Sequence, residues 1–143
     1  MSDGLADEVR RVAAELVEGL QGKAAGRLDY SEASLDVVEE LLDEASDFVA
    51  AMPGEQVDNL ARQFGCYILE VARRTWGGRY LWFPDRDAPV LVVGEPRVRV
   101  AMLTWDKTKS RLAGDNADNI PFFYAGFARR VRDAPDGVDV LYV

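Results

Sequence analysis

The chain has 143 residues, no histidine and a single cysteine, Cys66. Without histidine, neither a Ser-His-Asp nor a Cys-His catalytic arrangement can be assembled. One cysteine without histidine cannot furnish a zinc site, and it leaves no intrachain disulfide, which suits the cytoplasm. Long apolar runs are also missing. The longest, such as Val90 to Val93, are strand-length, against the ~20 residues that a spanning helix needs. The opening MSDGLADEVRR is acidic and lacks the basic start and apolar stretch of a secretory signal. A cytoplasmic protein with no membrane partner is expected.

Positive charge is scarce in the first part of the chain. Residues 1–60 carry 15 Asp/Glu against 4 Lys/Arg, a net of −11, whereas residues 61–143 carry 10 against 13, a net of +3. Nucleic acid is not the expected partner, because phosphate contacts need clustered positive charge. An acidic surface can instead dock a basic protein, or it can be a solvated helix face.

What is present is an ample core: 48% of the residues are apolar and 29% charged. The length suits one domain spanning 1–143. Leu5, Val9, Val12, Leu16 and Leu20 recur at helical spacing, predicting a first helix from about Asp3 to Leu20 with a stop at Gly22. A second helix follows LDYSEASL, with Ser31 as its expected N-cap. Leu35, Val38, Leu41, Leu42, Ala45, Phe48 and Val49 face the core, and Glu39, Glu40, Asp43 and Glu44 belong to a strongly acidic opposite face. The third helix is expected over Glu55 to Trp76. It is apolar along Val57, Leu60, Phe64, Ile68 and Val71, and again at Cys66 and Leu69, so it is expected at the centre of the domain. Gly77-Gly78 ends it.

Strands are expected at Arg79 to Phe83, at Val90 to Val93, and around Val98, Val100 and Met102, which alternate with Arg97, Arg99 and Ala101. Short helices follow, at Asp106 to Leu112 and from Ile120, capped by Asn119. Val138 to Val143 alternates as a last strand. The expected fold class is α+β: an N-terminal three-helix segment packed on a small antiparallel β-meander, with one or two short C-terminal helices and a last strand.

No cofactor or metal is expected. Gly22-Lys23 resembles the end of a phosphate-binding loop, but Val17 and Ala24 stand where glycine and a hydroxyl residue belong. The loop Asp115 to Asn119 fails as a calcium loop because Ala117 and Ile120 break the ligand and glycine positions, and it reads as a turn leading into a helix cap. Cys66 reads as a small core residue. Tyr67, Glu70 and Arg74 fall with Gln63 on one narrow stripe of the third helix. An enclosed glutamate beside arginine and tyrosine could bind a ligand or exchange a proton. A structural Glu70–Arg74 pair is the competing explanation. Lys107, Lys109 and Arg111 form a basic cluster near Trp105 that either receives an anion or partner, or is an exposed turn of helix.

The strings LDYSEASL, FGCYILEVARRTWGGRY and KTKSRLAGDNADNIPFFYAGF together resemble a group of uncharacterised actinobacterial proteins. They are also similar to wider bacterial families of unknown function, whose helix carries a glycine, an aromatic, a glutamate and then Gly-Gly-aromatic. Those positions here are Gly65, Tyr67, Glu70, Gly77, Gly78 and Tyr80, and Leu69 stands where a second glycine is common. The resemblance implies a small α+β domain and no particular activity. The residues favour a non-catalytic interaction protein that holds a basic partner on its acidic helix face, much as small acidic immunity proteins do. The alternative is an enzyme or ligand-binding protein with a pocket around Glu70, Tyr67 and Arg74. A third reading is a homo-oligomer that buries a sheet face or edge on assembly.

Overall fold

Apolar spacing accounts for most of the helices in the computed structural model, which describes residues 2–115, 117 and 119–143. Helix α1 (Ser2–Leu20) buries Val9, Ala13 and Leu16 and turns Arg11 outward between Glu8 and Glu15. Its exit is not shaped by Gly22: the left-handed residues are Ala25 and Gly26, and the Gly26 amide donates back to the Gln21 carbonyl. Helix α2 (Ser34–Ser46) begins three residues after the expected cap. Ser31 accepts from the Ser34 amide at 3.2 Å and so closes the turn that leads into α2. Helix α3 (Gly54–Trp76) is buried at every residue from Phe64 to Ala72, Cys66 and Leu69 included. Each large apolar side chain sequestered there contributes about 1.5–3 kcal/mol.

Gly77 and Gly78, both at positive φ, turn the chain into β1 (Arg79–Phe83). Only glycine fits at position 78, because a Cβ there would lie 2.5 Å from the Val92 carbonyl oxygen. Strand β2 (Ala88–Val93) pairs antiparallel with β1 and with β3 (Arg99–Met102). It is buried along its whole length because both faces are covered: Leu91 and Val93 join the main core, whereas Ala88, Val90 and Val92 join a smaller cluster with Leu103. Helices α4 (Trp105–Leu112) and α5 (Ile120–Asp133) then return the chain to β4 (Asp139–Tyr142). The Asn119 side chain caps α5 by accepting from the Phe122 amide at 3.0 Å. Within the expected turn Asp115 to Asn119, Asn116 and Asp118 lie outside the described residues.

The protein is therefore α+β, with a four-stranded sheet in the order β1-β2-β3-β4. The expected antiparallel meander is β1-β2-β3. The last strand, β4, runs parallel to β3, so the whole sheet is mixed; the α4–α5 excursion is long enough for the crossover that parallel pairing requires. Helix α3 packs against α1, α4 and β2, whereas α2 packs on α4 and α5. The segment between α1 and α2 is held by paired hydrogen bonds between the Gln21 side-chain amide and the Leu28 backbone, both 3.1 Å.

Candidate functional site

Glu70, on the buried stretch of α3, has no solvent exposure. One turn on, Arg73 donates to both carboxylate oxygens, at 2.8 and 3.0 Å. Arg74 lies 3.6 Å away, and Tyr80 on β1 donates its hydroxyl at 2.6 Å. Burial pushes the Glu70 pKa up, but the hydrogen bonds from Arg73 and Tyr80 and the two arginine charges outweigh it, so the group is held below the ordinary glutamate value. Burial and the Glu70 charge raise the Tyr80 pKa, keeping its phenol a donor. A carboxylate so held stays ionised with its oxygens engaged, the opposite of a general acid poised near neutrality.

Tyr67, one turn before Glu70, is equally buried. Its hydroxyl accepts from the Tyr30 amide at 2.9 Å and lies 2.7 Å from Ser34 Oγ. The Tyr30 ring stacks on Tyr67 with centroids 4.8 Å apart, and the Arg74 guanidinium lies 3.6 Å over the outer face of Tyr30. The stack clamps the α1–α2 connection, where Tyr30 itself sits at φ 64°. Tyr67, Glu70 and Arg74 are thus brought together as expected, but the oxygens of Tyr67 and Glu70 already have partners within the chain.

The basic cluster does not converge on one point. Lys107 sits 5.0 Å over the Phe123 ring, and Lys109 pairs with Asp58 at 2.9 Å. Arg111 is buried and donates to Glu39 at 2.7 Å and to Asp43 at 2.9 Å. The other Glu39 oxygen accepts from the Ile120 amide at 3.0 Å, which ties α2 to the start of α5. Two members of the acidic face therefore hold the chain's own Arg111. The remaining two, Glu40 and Glu44, have solvent-exposed partners in Arg27 and Lys23.

A cleft of about 320 Å³ lies where α1, α3 and the β1–β2 hairpin meet. Trp82, Trp105, Pro89 and Cys66 supply its apolar lining, and Arg62, Asn59 and the α1 residues Glu8, Arg11 and Glu15 its polar part. Trp82 and Trp105 meet edge to face at 6.3 Å, and the Arg62 guanidinium lies 5.7 Å over the Trp105 ring. Gly65 makes room for that indole, since a Cβ there would be 2.5 Å from Trp105 Cδ1. Trp105 Nε1 is buried without a regular hydrogen bond. Burial pushes the Cys66 thiol up to about 12 despite the Trp105 indole beside it, so the sulphur is not a nucleophile at neutral pH. Trp82 is the site residue that sequence reasoning overlooked; Arg62 shares the side of α3 that carries Cys66. The available signal was the i, i+3, i+7 spacing of Asn59, Arg62 and Cys66 on α3; nothing local marks Trp82.

The chain matches no family model, no curated protein and no solved structure. Among the described residues, no helix is long and apolar enough to cross a membrane, and no group of three His, Cys, Asp or Glu is placed to hold a metal ion.

Proposed function

We propose that the chain is a non-catalytic binding protein of the cytoplasm that offers the acidic flank of α2 to a basic surface on a protein partner. One observation carries this reading: the flank keeps a surplus of exposed negative charge after its internal pairing. Among the described residues, the six carboxylates Asp36, Glu39, Glu40, Asp43, Glu44 and Asp47 find cationic partners in Lys23, Arg27 and Arg111. The Glu40 and Asp43 side chains remain 67% and 70% exposed. Arg111, locked beneath, fixes the rotamer of Asp43 and so lowers the entropy lost on docking. A pocket around Glu70, Tyr67 and Arg74 is not proposed, because the oxygens of Glu70 and Tyr67 are already engaged. Kinship with the uncharacterised actinobacterial proteins belongs to the same reading. Its support is that the shared pattern has a structural reason at each position: Gly65 seats Trp105, Tyr80 bonds Glu70, and Gly77 and Gly78 turn the chain between them.

Affinity capture from the native organism's lysate tests the proposal. A partner is expected that binds at low salt, is released at high salt, and is lost with the Glu40→Lys/Glu44→Lys double variant. A partner retained by that variant would overturn the reading.

A further inference from the structure

We propose that the cleft between α1, α3 and the β1–β2 hairpin is a second, separate binding site, one for a planar aromatic anion such as an aromatic carboxylate. Its volume of about 320 Å³ is within the usual range for small-ligand sites, roughly 300–1,000 Å³, and suits one or two fused rings. Trp82 is 47% exposed although it is among the largest apolar side chains, and Trp105 packs edge-on against it in the wall of the cleft. An exposed indole beside a wall of Pro89 and Cys66 offers a flat face for a ring to stack on.

The charge of the ligand follows from which groups at the cleft are already engaged. Glu8 and Glu15 both pair with Arg11, at 2.7 and 3.4 Å. Arg62 enters no ion pair among the described residues; its described contact is the Trp105 ring. Its planar fork is therefore open to a carboxylate, which it can grip with two parallel hydrogen bonds. Held over the indole, the guanidinium is already oriented, so less freedom is lost on binding. A cation would gain only the two carboxylates that Arg11 neutralises in part. A neutral ring would leave Arg62 unused.

Titration of the intact chain with 1-naphthoate, followed through the indole N–H resonances of its three tryptophans, tests this. The Trp82 and Trp105 signals are expected to shift and saturate below millimolar ligand. Trp76, bonded to Tyr124 at 3.2 Å, lies outside the cleft and is expected to stay still. Arg62→Gln is expected to weaken binding about tenfold or more and to erase the preference for 1-naphthoate over neutral 1-naphthalenemethanol. Trp82→Ala is expected to abolish saturation. Arg62 and Trp82 are both solvent-exposed, and an unmoved Trp76 signal verifies that each variant is folded. Absence of shifts, equal shifts at all three tryptophans, or unchanged affinity in Arg62→Gln would each overturn the proposal. None of these outcomes bears on partner capture by α2.

Discussion

Among the described residues two charged side chains, Glu70 and Arg111, are buried, and they are held in opposite ways. Glu70 is an anion served almost entirely by its own helix: Arg73 and Arg74 follow at one-turn spacing, and only Tyr80 comes from elsewhere. Arg111 is a cation served by a distant element, taking Glu39 and Asp43 from α2. The Glu70 carboxylate is fully provided with donors. Arg111 leaves its Nη1 buried without a hydrogen-bond partner. A buried charge with local partners stabilises the element it stands on. A buried charge with distant partners instead specifies how two elements dock, here α2 onto α4, and an imperfectly satisfied group is tolerated in return.

The largest expected effect breaks the Glu70 side of this comparison. Glu70→Ala strands the Tyr80 hydroxyl and opens a cavity under α3, and a loss of about 3–5 kcal/mol is expected in urea unfolding. Arg111→Met is expected to cost less, about 2 kcal/mol. Asp43 already reaches water, Glu39 keeps the Ile120 amide, and the orphaned Nη1 disappears. If Arg111→Met proved the more damaging of the two, the contrast between satisfied and unsatisfied burial would fail.

A pH series sharpens the same contrast. Because the folded Glu70 pKa lies below its unfolded value, the stability it contributes is present above the ordinary glutamate range and is lost as pH falls through the folded pKa. The urea midpoint of the wild type is expected to drop across that acidic window, and Glu70→Gln is expected to flatten part of the drop. The smallest effect is expected for Arg74→Met. Its 3.6 Å approach to Glu70 and its contact with Tyr30 are at the surface, so a change of about 0.5–1 kcal/mol is expected by the same assay.

The same division separates what could be read along the chain from what could not. Helix α3 was legible as an interior element because Cys66 and Leu69 lie off its main apolar stripe, and both are buried. The Glu70 stripe was legible because i, i+3 and i+4 neighbours meet on any helix, although the principal partner is Arg73 rather than Arg74. Illegible were the parallel pairing of β4, the capture of Glu39 and Asp43 by Arg111, and the meeting of Trp82 with Trp105. Each joins residues that no periodicity relates.

From its residues alone, this protein was bound to be an acidic α+β chain with a long interior helix, no histidine chemistry and a negatively charged second helix. Those properties rest on composition and on local spacing, which act before any distant contact forms. Which carboxylates are engaged and which stay open to a partner, and where a cleft remains with an arginine over an indole, were decided by tertiary packing. Ion pairs and cavities depend on where separate elements come to rest, and that is set by the sum of many weak contacts across the whole core.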